Sequence, residues 1–207
     1  MTQRGTKRIG IMGGTFDPIH NGHLLAAEQA REEFHLSQVI FVPAAQPPHK
    51  SLGDLSSAQH RYVMTLLAVA SQDGFAVSDI EIRRRGPSYS IDTVLSLKAQ
   101  WGCDHCFYFI TGYDAILDIT TWRDYETLLK ECQFVAVARP DTDRGRLHPL
   151  LEELGPLYDR IHLLDGITMA LSASQIRKRV RDGKSLRFLV PESVEHYIKK
   201  NKLYQRS

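Results

Sequence analysis

The chain has 207 residues, 43% of them hydrophobic and 24% charged, with a formal net charge of +2. At roughly 150 residues per domain, this length gives one domain, or one with a small appendage. The proportions are those of a globular protein with a real core, which excludes a disordered or fibrous chain. No apolar run approaches the roughly 18–20 residues of a membrane span. No apolar segment or small-residue cleavage site follows the short basic start at residues 1–8, so the reading is a cytoplasmic protein without a signal peptide.

Strand-like and helix-like runs alternate from the start. Ile9 to Met12 is a short apolar strand stopped by Gly13-Gly14, and Leu24 to Phe34 reads as helix. Val39 to Val42 is a second buried strand closed by Pro43. Arg61 to Ala70 is a helix, and Val77 to Ile82 is a strand in which Ile80 and Ile82 alternate with Asp79 and Glu81. Ile91 to Ala99 is a helix. Phe107 to Ile110, Phe134 to Ala138 and Ile161 to Leu164 are three further strands, and Asp141 to Arg146 is an exposed polar loop. Strands separated by helices predict an α/β fold with a doubly wound, Rossmann-like parallel sheet covered on both faces.

The end of the chain differs. Ser174 to Arg181 and Pro191 to Lys200 are two helices with no strand between them, the second carrying Val190, Val194, Tyr197 and Ile198 as one apolar stripe. The expected organisation is a sheet core over residues 6–170 and a helical part over 171–207, within one domain. Residues 177–207 carry ten Lys and Arg against three Asp and Glu, net +7, whereas residues 1–176 carry sixteen against twenty-one, net −5.

Three cysteines, Cys103, Cys106 and Cys132, are an odd number without a secretory signal, which argues for reduced thiols. Cys103 and Cys106 have C-x-x-C spacing around His105. With no second such pair, the reading is small apolar fillers rather than a zinc site.

The strongest motif is the stretch from Gly13 to Leu24, GGTFDPIHNGHL, between the first strand and the first helix. Glycines there allow close approach of backbone to a ligand. The helix start offers unpaired N–H groups and a positive dipole end to an anion. His20 and His23, at i and i+3, share a face on a helical turn, and Gly22 removes bulk between them. Two imidazoles at such a place can donate to phosphate oxygens. The spacing matches neither the dinucleotide fingerprint nor the Walker loop, and zinc histidines on helices are usually four apart with a third ligand.

This segment resembles the His-x-Gly-His signature of the nucleotidyltransferase superfamily. Its longer form is similar to that of bacterial nicotinate-nucleotide adenylyltransferases, and the resemblance runs from residue 9 to residue 204. It implies ATP-binding roles for Gly13, Gly14, Thr15, Phe16, His20 and His23. It extends to Pro47-Pro48-His49-Lys50, where His49 and Lys50 would hold the phosphate of a mononucleotide. In Ser88-Tyr89-Ser90, Ser90 stands where the family has Thr and would hold the nicotinate end through its backbone; read by itself, Ser90 is a helix N-cap. Gly112 and Asp114 match a G-x-D motif whose Asp reaches a ribose, although Asp114 by itself also suits an N-cap. Trp122 would stack on the pyridine ring. Leu171 to Arg177, LSASQIR, is similar to the family's I-S-S-T-x-I-R, with Ser172, Ser174 and Arg177 on the triphosphate. Ser172 or Ser174 can cap the following helix, and Arg177 adds a permanent charge suited to phosphate.

The implied reaction joins ATP and nicotinate mononucleotide into deamido-NAD and pyrophosphate, with catalysis by His20, His23 and Arg177. The implied cofactor is Mg²⁺, held by phosphate and water with no protein-borne metal site. The partners implied are these small molecules, with no nucleic acid and no membrane, and homo-oligomerisation is left open. Two alternatives remain: an adenylyltransferase for nicotinamide mononucleotide or phosphopantetheine, and a non-catalytic nucleotide sensor on the same fold.

Overall fold

The computed structural model describes residues 7–48, 55–102, 104–138, 142–167 and 169–205. His49, Lys50 and Cys103 therefore lie outside the described residues.

Among the described residues six strands form one sheet: β1 (Lys7–Gly14), β2 (Gln38–Pro43), β3 (Phe75–Val77), β4 (His105–Gly112), β5 (Gln133–Val137) and β6 (Ile161–Leu164). Their order is β3-β2-β1-β4-β5-β6, and every pairing is parallel. This is the expected doubly wound arrangement. The order reverses between β1 and β4, so the crevice at the carboxyl ends of those two strands is where such sheets bind ligands. In register, Met12 stands beside Ile110 on one side and Phe41 on the other.

The central strands are apolar because helices cover both faces. On one face Ile9, Ile11, Phe107, Phe109 and Phe134 pack under α4 (Ser90–Trp101), α5 (Tyr113–Leu117), α6 (Tyr125–Glu131) and α7 (Leu147–Leu154). On the other, Met12, Phe41, Tyr108 and Ile110 pack under α1 (Asn21–Glu33), α2 (Ala58–Val69), α8 (Ala173–Arg181) and α9 (Glu192–Lys200). The C-terminal helices are part of that second layer: Ile176, Val190, Val194 and Ile198 are all buried in it. Pro191, expected in the first helical turn, is the residue just before α9.

One expected strand is different. The ladder of β3 ends at Val77, and the chain turns into a short helix, α3 (Ile80–Arg83). Ser78 is the cause. Its N–H makes the last bond to the sheet, at Phe41 O (2.9 Å), and its hydroxyl then accepts from Ile80 N (3.3 Å). Arg83 ties back to Asp79 through its backbone N–H and its side chain. The alternation of Ile80 and Ile82 with Asp79 and Glu81 imitates a strand, but Glu81 is itself buried, bonded to Thr93.

A buried cation holds the loops above the sheet. Arg61, 1% exposed, lies on the inner stripe of α2 with Met64, Thr65 and Ala68. It donates to the carbonyls of Thr15 (2.8 Å), Ala44 (2.5 Å), Ala45 (3.1 Å) and Ser56 (3.0 Å). These carbonyls belong to the chain leaving β1 and β2 and to the entry of α2. Arg61→Leu removes every one of those donors and leaves the carbonyls unpaired. Urea unfolding of this variant should show a loss of about 3–5 kcal/mol, and an unchanged midpoint would contradict the bracing role.

Candidate functional site

The crevice between β1 and β4 opens into a cleft of about 410 Å³. The end of β1 supplies Gly13, the loop after it Thr15, Phe16, Asp17 and His20, and the start of α1 Gly22 and His23; Thr111 and Gly112 come from the end of β4, and Leu171, Ser172 and Ala173 from the start of α8. Two helix N-termini thus point at one space, those of α1 and α8. Ser172 caps α8 reciprocally, its hydroxyl accepting from Gln175 N (3.3 Å) while its N–H donates to Gln175 Oε1 (3.1 Å). Ser174 lies beside it, hydroxyl to hydroxyl at 3.0 Å.

The glycines of the turn answer to space. A Cβ on Gly14 would stand 2.8 Å from the Phe16 ring, and one on Gly22 would stand 3.1 Å from His20 Nδ1. The left-handed residue of the turn is instead Phe16, at φ +49°, with its ring buried between His23 and Phe41. Holding a phenylalanine in that conformation needs surrounding structure to over-determine it, and the Arg61 bond to Thr15 O just before it contributes to that.

His20 occupies the N-cap of α1, one position before the helix. Its backbone N–H donates to His23 Nδ1 at 3.2 Å, which places the proton of a neutral His23 on Nε2. The two rings stack at 3.6 Å and 20°. His20 is buried, and burial pushes its imidazole down to about 4, so it is neutral at pH 7. Its Nδ1 has no hydrogen-bond partner among the described residues.

Asp17, absent from the expected set, is central to the geometry. It is 1% exposed, accepts from Tyr204 Oη at 2.6 Å and Ser56 N at 3.3 Å, and its carbonyl accepts from Arg177 Nη1 at 2.7 Å. Arg177 is thereby anchored beside the cleft. Arg61 was missed as well, although a cation on the apolar stripe of a helix is a readable signal for a buried charge.

Two further clefts hold other expected residues. Asp114 lies in one of about 400 Å³ with Thr142, Asp143 and Arg146, joined to the first cleft through Gly112 and Val137. Gly112, not Asp114, is the N-cap of α5, and Asp114 is left exposed. Ser90 and Trp122 lie in a separate cleft of about 410 Å³ with Pro48, Ser88 and Tyr89. The cap of α4 is Tyr89, so Ser90 is its first helical residue. Trp122 stands edge-on to Phe109 and Phe134, which fixes its ring in the wall. Ser88 Oγ accepts from Ala45 N (3.0 Å) and Gln46 N (3.2 Å), joining the two sides of this cleft. Behind them, burial pushes the Glu81 carboxyl above its ordinary range, against hydrogen bonds from Ser88 and Thr93. Gly14, Ser174 and Arg177 border the first cleft without lining it.

Among the described residues no group of three or more His, Cys, Asp or Glu is placed to hold a metal ion. Cys106 is half-buried in β4 and Cys132 is buried, its thiol pushed up by desolvation. No helix among the described residues is long and apolar enough to cross a membrane.

Residues 11–179 match the family model described as Cytidylyltransferase-like. The chain belongs to this family. Within it, the chain is 50% identical over 200 residues to a Moorella thermoacetica protein named "Probable nicotinate-nucleotide adenylyltransferase", covering 96% of this chain and 92% of that one. A Thermoanaerobacter protein of the same name is 48% identical, covering 96% and 95%. The fold is similar to that of the Plasmodium falciparum nicotinic acid mononucleotide adenylyltransferase solved with NaAD, at a TM-score of 0.76 and 23% identity over 96% and 97% of the two chains.

Two measurements probe the histidine pair. Proton NMR of His20 should give a titration midpoint of about 4. The folded value lies below that of an unfolded histidine, roughly 6.5. The unfolded state therefore binds more protons between the two values, and this residue's contribution to stability is present above the upper one and lost as pH falls to the lower. A midpoint near the unfolded value would mean a solvated ring. Separately, Gly22→Ala should leave thermal stability unchanged or raise it by up to ~1 kcal/mol, as alanine favours helix, while kcat/KM falls about 10-fold or more as the His20 ring is displaced. Full activity would show that the ring yields without consequence.

Proposed function

We propose that this protein transfers the adenylyl group of ATP to nicotinate mononucleotide, giving deamido-NAD and pyrophosphate in NAD biosynthesis. The observation that carries the reading is the stacked His20–His23 pair at a helix N-terminus in the switch-point crevice. Relatives at 43–50% identity carry the matching name over nearly their full length, which favours nicotinate mononucleotide as the acceptor. In this reading the whole chain works as one domain.

The first cleft takes ATP. The backbone of Gly13 to Thr15 and the starts of α1 and α8 face its phosphates, His20 and His23 donate to phosphate oxygens, and Arg177 contributes fixed charge. Asp114, in the adjoining cleft, reaches the ribose. The cleft of Ser90 and Trp122 takes the pyridine end of the mononucleotide, and His49 and Lys50, next to Pro48 in sequence, hold its phosphate.

An oxygen of the mononucleotide phosphate attacks the α-phosphorus of ATP. A new P–O bond forms there, the bond to the β-phosphate bridging oxygen breaks, and pyrophosphate leaves. The nucleophile is already an anion at neutral pH, so no protein base is required. Catalysis rests on alignment and on donors aimed at the phosphoryl oxygens as their charge grows. The donor set fits a divalent cation, Mg²⁺ in our reading, carried on the triphosphate: the carboxylate lining the cleft, Asp17, already engages Tyr204 and Ser56. When bound, such an ion neutralises charge on the leaving pyrophosphate.

Pyrophosphate release should be measured with ATP and either nicotinate or nicotinamide mononucleotide. Release with the nicotinate form, exceeding that with the amide, is expected, and silence with both would overturn the proposal. In the same assay His23→Ala should lower kcat by about 10²–10³-fold, as for loss of a transition-state donor, with a smaller change in the KM for ATP. An unchanged kcat would remove His23 from the chemistry.

A further inference from the structure

Asp17 gathers contacts from three distant stretches of chain. Its Oδ1 accepts the Tyr204 hydroxyl at 2.6 Å, and its Oδ2 accepts Ser56 N at 3.3 Å and lies 3.9 Å from Arg177 Nη1. That same nitrogen donates to the Asp17 carbonyl at 2.7 Å. Asp17 lines the phosphate cleft, whereas Tyr204 does not.

We propose that the Tyr204 hydroxyl is a positioning group for Arg177, acting through the Asp17 carboxylate. The inference rests on the reading of Arg177 as a triphosphate ligand.

A carboxylate 1% exposed must have its oxygens satisfied by the protein. Tyr204 supplies the shortest of the donors. The chain bends to bring it there, with Lys202 and Tyr204 both left-handed at φ +52° and +63°. Burial and the adjacent Asp17 charge raise the phenol's pKa, so it stays protonated and remains a donor. Oδ2 is then held toward Ser56 and at 3.9 Å from Arg177, too far for a full ion pair. Without the hydroxyl, Asp17 loses its strongest neutral donor. Arg61 is already committed to carbonyls, whereas the Arg177 side chain is 24% exposed and can move. The carboxylate would close on Arg177 and draw its charge away from the triphosphate. Tyr204 thus keeps a neighbouring anion from capturing the cation the reaction uses.

Tyr204→Phe deletes the hydroxyl and keeps the ring that packs on the core. Steady-state kinetics and calorimetric binding of ATP and of nicotinate mononucleotide should be compared in the full-length wild type, this variant, Arg177→Ala and the double variant. Loss of a charge-assisted hydrogen bond predicts a fall of about 10- to 100-fold in kcat/KM for ATP, with mononucleotide affinity kept within about twofold. In the Arg177→Ala background the same substitution should change kcat/KM by less than about twofold, because residues acting through one another are not additive. Wild-type kcat/KM in Tyr204→Phe overturns the proposal. So does a full multiplicative loss in the double variant, and so does a parallel loss of mononucleotide affinity, the mark of a simple C-terminal anchor. If Arg177→Ala alone leaves kcat/KM intact while wild type releases pyrophosphate, the role given to Arg177 fails, and this inference with it, while the adenylyl-transfer reading stands.

Discussion

The site depends on one buried guanidinium. Where β1 and β2 end, their carbonyls run out of partners in the sheet, and in an open crevice water would take them. Arg61 takes them instead, with a planar fork of N–H donors that no other side chain offers. Its desolvation pushes the guanidinium's pKa down, and Asp17 opposes that with its negative charge. The Asp17 carboxylate in turn requires donors and finds them in Tyr204 and Ser56, while Arg177 bonds its backbone carbonyl. A charge-compensated layer therefore lies beside the first cleft. It contributes rigidity without adding net attraction, so the attraction for an anion falls to the groups facing the cleft, the starts of α1 and α8 with Arg177 beside them.

The histidine pair follows the same economy of charge. Two imidazoles stacked at 3.6 Å disfavour a double positive charge, and burial already holds His20 neutral. In the free protein His20 is an oriented dipole, set by the N-cap geometry of α1, and the bond from its N–H to His23 Nδ1 orients the second ring. Negative charge arriving in the cleft offsets the desolvation that keeps His20 neutral. In the proposed reaction the interaction would strengthen as charge builds on the phosphoryl oxygens, the differential binding that lowers a barrier.

Much of this was readable from residue types at fixed spacing. The apolar runs at Ile9, Val39, Phe107, Phe134 and Ile161 became strands because parallel strands covered on both faces must be apolar throughout. The glycine-histidine turn stood out as a candidate phosphate site because close backbone approach and paired donors need those residue types, and the fold places it in the switch-point crevice. Other features were hidden for physical reasons. Ser78 ended a strand by a local hydroxyl contact that periodicity does not register. Gly112 and Tyr89, rather than Asp114 and Ser90, cap their helices without any side-chain bond. Asp17 and Tyr204 stand 187 residues apart, so their contact exists only in the folded chain.

The uneven charge of the sequence finds its explanation in the helices. The net +7 of residues 177–207 suggests a surface for an acidic partner. Five of its ten cations, however, sit in last turns: Lys178, Arg179 and Arg181 in α8, and Lys199 and Lys200 in α9. Glu192 and Glu195 occupy the first turn of α9. This is the placement that complements helix dipoles. In α8 the arrangement has a second effect. Cations meet its negative end, no acidic residue occupies its first turn, and Ser172 caps it with a neutral hydroxyl. The positive end is thus left uncompensated where it meets the cleft, and in the proposed reading a phosphate there would supply the charge that an acidic first turn would otherwise have provided.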